Sequence, residues 1–480
     1  MSWLTPLAAA GPPLAVYLWT LAPTITWRHG GSDSGELVSA VVVGAVAHPP
    51  GYPLYLFLGR LAYLLFPFGD AAYRLNLFSA LCMAASSALV ALAARSICCS
   101  LHVRGTAAAL VALTAGLGFG FAPLVWSQAL IAEVYGLAML VQAALLLALV
   151  RWSLSPRSAQ GWLELSALLA GLALAAHTML VWTVLGAFVL GVMRVRQIVG
   201  SRRASIVPLL FLLGLLPFAL LPLLESRQPA LSWGATDTLA GFLHHVSAAD
   251  YRDHLFELTL AESLGRLPIL LRTLAAQFTW PGLALALLGA WWLRHQRPEL
   301  LALTLPAALG GTLFVLGYGA DHPETYLLVT LPGAALWLTA GLAWLRGSFP
   351  RLPTVAFALA LLLPAAQILL NWSHLNLSTD TSARDYALVQ LEATPTDAVL
   401  VTERDEQTFS LWYAQRVLGV RQDVLVLDRR ALGLDWYRAK LARQHPALQT
   451  APDLATFVRL NPTVRVIVAP PAADEPDLSD

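Results

Sequence analysis

Charge is what this chain is short of. Asp, Glu, Lys and Arg together make up only 12% of its 480 residues, whereas soluble domains carry about a quarter. That shortfall, with 57% hydrophobic residues, excludes a water-solvated globule and points to a chain solvated by lipid. The 30 basic and 29 acidic residues nearly cancel to a net charge of +1. No broad basic field is left to hold nucleic acid. Cysteine is scarce too: Cys82, Cys98 and Cys99 fall in or beside one apolar run. That rules out a disulfide framework and any metal-ligand spacing. No cofactor is predicted, and a divalent cation is not excluded. The stretch Met1 to Trp27 lacks a basic n-region and a small-residue cleavage site, so it reads as a retained first span. No Walker A, HExxH or GxSxG occurs. The run Gly116-Leu117-Gly118-Phe119-Gly120 lies within an apolar segment and follows no strand, which favours close helix packing over a dinucleotide loop.

Long apolar runs are what the chain has instead. A spanning helix needs about 20 mostly apolar residues. Candidate spans lie near 7–26, 73–95, 105–122, 127–150, 162–176, 178–193, 206–223, 268–293, 299–318, 326–345 and 353–370. The expected fold is an all-α polytopic membrane protein with about eleven transmembrane helices. Basic residues collect in inner loops. Arg95 and Arg104, Arg151 and Arg157, Arg194 to Arg203, Arg294 and Arg297, and Arg346 and Arg351 fall in alternate loops. They place the N-terminus in the cytoplasm. Residues 28–72, 224–267, the Asp321–Thr325 loop and everything after Asn371 then face outward.

Residues 1–371 would thus form a transmembrane domain and 372–480 a small extracytoplasmic α/β domain with an acidic tail. Strand-like Ala398–Asp405, Asp423–Asp428 and Arg465–Pro470 alternate there with helix-like Thr408–Leu418, a βα pattern. The lack of cysteine after Cys99 fits a bacterial plasma membrane, while Asn371-Trp372-Ser373 would also be a sequon in a secretory organelle.

The outward segment 28–60 carries the densest polar signal. Asp33 and Glu36 sit three apart among Gly30, Gly31 and Gly35, which matches a helix cap. Beside a membrane span, however, ionisable groups tend to be functional. His48-Pro49-Pro50-Gly51-Tyr52-Pro53 forbids a continuous helix. The arm 37–47 and Leu54–Phe66 then read as interfacial helices on the outer surface. His48 is either a turn-capping histidine or a ligand for an anionic headgroup. Glu133 and Tyr135, in the cluster from Trp126 and Gln128 onward, are either packing groups or a wall of a site. Arg272, with Arg266, snorkels or binds phosphate. Trp233, Tyr251, Asp321 and Tyr326 complete the outward polar set.

The run Asp33-Ser34-Gly35-Glu36 through His48-Pro49-Pro50-Gly51-Tyr52-Pro53-Leu54-Tyr55 resembles the signature of the DUF2723 family, which is similar to the protein O-mannosyltransferases of the GT-C class. Tyr73-Arg74-Leu75-Asn76 with Ser79, the Trp126 to Tyr135 cluster, Gly171-Leu172 leading to His177, and Trp233-Gly234 extend the likeness. So do Asp405, Thr408-Phe409, Leu411-Trp412-Tyr413, Arg421 and Asp423. The resemblance implies a glycosyltransferase that uses a polyprenyl-phosphate sugar, with Asp33 as catalytic base and Glu36 beside it. His48, Arg74, His177 and Arg272 become candidates for the donor phosphate and lipid. Tyr52, Tyr55, Asn76, Trp126, Gln128, Glu133, Tyr135 and Trp233 become candidate pocket walls. The expected reaction moves a hexose, mannose foremost, to a hydroxyl of a protein, lipid or glycan with inversion. A transporter or flippase for a lipid-linked sugar would instead move its substrate without bond cleavage, and a non-catalytic membrane partner would tolerate replacement of Asp33 and His48.

Overall fold

The computed structural model describes residues 4–154, 160–199, 202–255, 257–319, 323–349 and 353–471. The expectations for Asp321, Arg157, Arg351 and the acidic tail lie outside these residues. The chain runs α1 (Leu4–Thr20), α2 (Ser34–Val43), α3 (Pro53–Leu65), α4 (Ala71–Ser100), α5 (Gly105–Gly120), α6 (Pro123–Ala129) and α7 (Tyr135–Leu154). It continues through α8 (Gln160–Ala176), α9 (Val181–Met193), α10 (Arg203–Gly214), α11 (Leu220–Glu225), α12 (Leu239–Val246) and α13 (Leu260–Gly265). Then come α14 (Leu267–Gln296), α15 (Pro298–Gly317), α16 (Leu331–Ser348) and α17 (Pro353–Leu375).

Every expected span coincides with helix, and the count of eleven membrane crossings is not confirmed. Among the described residues six helical stretches are long and apolar enough, and the pair α5 and α6, bent by 61°, brings the number to seven. Helices α1, α8 and α9 fall short of the length a bilayer core asks for. Close backbone crossings hold the bundle: a Cβ on Gly214 would lie 2.3 Å from the Leu168 carbonyl oxygen, and one on Gly116 2.8 Å from that of Ser87. The glycine-rich run therefore serves packing, as expected.

The two faces inferred from loop charge appear as two ends of the bundle. At one end Arg95 donates to the Thr5 hydroxyl at 3.0 Å and Arg297 to the Ser100 carbonyl at 3.0 Å. Arg194 and Glu299 lie 3.8 Å apart at that end. At the other end the Trp233 amide donates to the Val46 carbonyl and the Gly319 amide to that of His254.

The same second end carries the α/β unit. It consists of α18 (Ser382–Ala393), β1 (Val399–Thr402), α19 (Asp405–Arg416), β2 (Leu425–Asp428), α20 (Asp435–Gln444), α21 (Leu454–Leu460) and β3 (Val466–Val468). The three strands are parallel in the order β2-β1-β3, with Val399 opposite Leu425 and Val466. Val399, Val401, Leu427 and Phe457 form its own core. Its α19 packs on the bundle, where Phe409, Leu411 and Tyr413 join one apolar cluster with Leu37 and Trp27. This corrects the expectation for 37–47. Helix α2 is buried from Ser34 to Val41 beneath α19 and does not lie on a surface. Gly35 permits this, since a Cβ there would sit 2.4 Å from the Phe409 carbonyl oxygen. Helix α3 does expose Phe57, Leu61, Leu64 and Leu65, as an interfacial helix should.

Candidate active site

Asp33 ends a short, kinked 3-10 segment, Arg28–Asp33, in which His29 and Gly30 adopt positive φ. It stands at the N-cap of α2, yet its side chain makes no capping hydrogen bond. Nor does Glu36 turn back to the cap. Glu36, only 2% exposed, instead grips His48: Oε1 accepts from the His48 amide at 2.9 Å and Oε2 lies 3.0 Å from Nδ1. The other ring nitrogen, Nε2, stands 3.6 Å from the Asp33 carboxylate, whose side chain remains 37% accessible. The result is a carboxylate–imidazole–carboxylate line that leaves Asp33 as its open end.

Electrostatics follow from that line. Burial opposes a charged imidazole at His48, but Asp33, Glu36 and Glu133 outweigh it and raise its pKa to about 10. Burial likewise raises Asp33 above the usual carboxylate range, and the His48 charge partly offsets this. A protonated His48 therefore faces a carboxylate that holds a proton more readily than a free one.

Aromatic rings continue the line away from Asp33. Tyr52 meets His48 edge-on at 5.2 Å and His177 at 5.5 Å, and Tyr135 stacks on His177 at 5.2 Å. Beyond them lies a small apolar cleft. Tyr135, Met139, His177, Leu180, Tyr326 and Val329 line it. On the other flank Trp233 lies 6.3 Å from His48, 6.2 Å from Phe409 and 5.5 Å from Trp436.

Of the residues expected at the site, Asp33, Glu36, His48, Tyr52, His177, Tyr135 and Trp233 come together. Gln128 joins them by donating to the His29 carbonyl at 2.7 Å, and Glu133 lies close enough to bear on His48. Tyr55, fully buried, lies in the field of Glu133 and Glu36. The remaining residues do other work. His48 is not free for a phosphate, because both ring nitrogens face carboxylates. Arg74 spends its guanidinium on the Phe68, Tyr63 and Gly69 carbonyls. Arg272 is exposed on α14 and makes no hydrogen bond or ion pair with the described residues. Asn76 holds the Ala22 and Thr24 carbonyls. Trp126, fully buried, donates to Thr20. These last two are packing groups. The Nδ1 of His177 accepts from the Met179 amide at 3.1 Å, so this nitrogen caps a turn.

The sequence reading missed Arg430 and Trp436. Asp405 and Arg430 follow β1 and β2 and form an ion pair, with Asp428 3.7 Å from the same guanidinium. Burial raises Asp405, against the pull of Arg430, and Asp33 adds to the rise. The carboxyl ends of parallel strands are where such folds gather ligand groups, which is the signal that would have found them. Among the described residues no group of three His, Cys, Asp or Glu is placed to hold a metal ion.

The fold is similar to that of ArnT and of an archaeal oligosaccharyltransferase. Over 98% of its length the chain superposes on ArnT from Cupriavidus metallidurans in the apo state, with a TM-score of 0.63 at 14% identity and 93% of that chain covered. ArnT bound to undecaprenyl phosphate gives a TM-score of 0.59 at 13% identity, with 96% of that chain covered. The Archaeoglobus fulgidus oligosaccharyltransferase in its apo form gives 0.53 at 13% identity, with 92% of this chain and 69% of that one covered.

Family models sharpen the class. Residues 33–199 match the protein O-mannosyl-transferase TMEM260 N-terminal domain, and residues 383–453 match the TMEM260-associated domain 2. The protein O-mannosyl-transferase TMEM260 of Mus musculus is 26% identical over 94% of this chain and 66% of its own length. The Dictyostelium discoideum protein of the same name is 27% identical over 57% of this chain and 34% of its own. The matched part of this chain thus spans just under two thirds of the first relative and about a third of the second.

Proposed function

We propose that this chain is an inverting glycosyltransferase that moves a hexose, mannose, from a polyprenyl-phosphate donor to a hydroxyl on a protein acceptor at the outer face of a bacterial plasma membrane. The acceptor oxygen attacks the anomeric carbon from the side opposite the phosphate. Its proton passes to Asp33, the new carbon–oxygen bond forms, and the bond to phosphate breaks with its electron pair leaving on the phosphate. One base and no covalent step give inversion. The phosphate departs as a stable anion, so no general acid is required. The apolar cleft beyond His177 suits the first isoprene units of the donor.

One observation carries this reading. Asp33 stands at a helix start without capping it, stays accessible, and faces a histidine that Glu36 fixes from behind. A carboxylate kept free in this way is what general-base catalysis needs, and such a base contributes roughly 10²–10⁴-fold. The fold shared with a protein bound to undecaprenyl phosphate supports the donor class, and the names of the relatives support mannose and a protein acceptor. Asp33→Asn should lower transfer by about that factor while expression and thermal stability persist. The assay is purified protein with radiolabelled polyprenyl-phosphate sugars, scored for release of lipid phosphate. Wild-type turnover in Asp33→Asn overturns the mechanism.

A further inference from the structure

Unpaired polar atoms recur in the segments that pack near the Arg28–Asp33 turn. The Oε1 of Glu133, the Oε1 of Gln128, the Oη of Tyr55 and the Oγ of Ser34 are all buried without a hydrogen-bond partner. Their residues are at most 3% exposed. Buried polar groups are nearly always paired, and leaving one unpaired costs free energy. Four in one neighbourhood call for a ligand that supplies several partners.

Local structure brings them together. Ser34 follows Asp33 directly. The loop between α6 and α7 is pinned to the Arg28–Asp33 turn by the Gln128 bond to His29, and a Cβ on Gly31 would meet Ile131 at 3.5 Å. Glu133 stands on that loop, and its charge reaches both His48 and Tyr55. The chemistry of the set is selective. A carboxyl and an amide oxygen accept hydrogen bonds, and the two hydroxyls both accept and donate. A polyhydroxylated ring satisfies such a set; an isoprenoid tail or a phosphate does not.

We propose that Glu133, Gln128, Tyr55 and Ser34 form the subsite that holds the hexose of the lipid donor, with Glu133 and Gln128 accepting from its hydroxyls. This rests on the glycosyltransferase reading and deepens it by assigning the sugar. The hexose then lies beside Asp33, with its lipid running past His48 toward the apolar cleft. A site whose buried acceptors expect hydroxyls rejects a sugar that lacks them, because those acceptors stay unpaired.

The test is binding by the full-length protein in lipid nanodiscs. The probes are polyprenyl-phosphate mannose, its 2-deoxy counterpart and polyprenyl phosphate without sugar. Wild type should prefer the mannosyl lipid to both others. Glu133→Met and Tyr55→Phe, which remove the polar atom and nearly keep side-chain volume, should each lose roughly tenfold of the preference over the bare lipid, as the loss of one hydrogen bond implies. Their affinity for polyprenyl phosphate should stay unchanged. If both variants retain the full preference, buried water satisfies these atoms and the subsite is overturned. If wild-type protein binds neither lipid, the donor reading itself fails and takes the subsite with it. If only one variant folds, that variant decides.

Discussion

At the scale of single residues, the site turns on what His48 does to Asp33. The imidazole is held by Glu36 and raised to about 10, so it is positive throughout the neutral range. That charge lowers the Asp33 pKa, against the rise that burial causes. On the proposed mechanism Asp33 is the base and works only when deprotonated, so activity should fall as the pH drops through the Asp33 pKa. His48→Gln removes the opposing charge and lets the Asp33 pKa climb further. The acid limb of the rate profile should therefore move to higher pH in this variant, read from kcat/KM against pH. A limb that stays in place would show that the imidazolium does not tune the base. Glu36, buried and bonded twice to His48, acts through it as a positioning residue.

At the scale of elements, the decisive contact is α2 against α19. Trp27 donates to the Glu406 carbonyl at 3.2 Å and to the Ser410 hydroxyl at 2.9 Å. Tyr413 donates to Asp70 at 2.6 Å, and Asp70 in turn caps α4 through the Tyr73 amide. Gly35 allows the two backbones to touch. Gly35→Ala places a Cβ 2.4 Å from the Phe409 carbonyl oxygen, so one helix must move, at a cost of about 1–3 kcal/mol. Thermal unfolding in detergent should show a lowered Tm. Gly11→Ala is the control, because a Cβ there meets nothing within 4 Å. Equal behaviour of the two variants would mean that the close approach is not what joins these helices.

At the scale of the whole molecule, a buried ion pair fastens the α/β unit to the bundle. Lys440 lies 2.8 Å from Glu225 and donates to the Ser232 carbonyl at 2.6 Å, with both side chains under a tenth exposed. Removing one partner strands a buried charge, so Lys440→Met should cost about 3–5 kcal/mol, whereas the pair Lys440→Met with Glu225→Met should come close to wild type. Limited proteolysis of the α/β unit reads the difference. A single variant as resistant as the double would mean the pair carries no structural burden.

Much of this architecture was legible because apolar runs and their basic flanks are local signals. They placed a helix at every expected span, sorted the loops to two ends and outlined β1, β2 and β3. They also singled out Asp33, His48 and the aromatic neighbours. The expected count of eleven crossings is not confirmed: among the described residues six or seven helical stretches are long and apolar enough, since an apolar run does not fix how long its helix will be. Asn76 and Trp126 were misread because a polar group in an apolar run looks the same whether it meets a substrate or a backbone carbonyl. Arg430 and Trp436 were missed because their neighbours at the site come from distant parts of the chain.

The amino-acid order by itself determined the helices, the two polar ends and the small parallel sheet, because each depends on residues near one another along the chain. Only the tertiary structure decided whether Asp33 caps a helix or stands free, since the same local pattern serves both. The answer came from His48 across a turn and from α19 far down the chain, through contacts that sequence spacing does not encode.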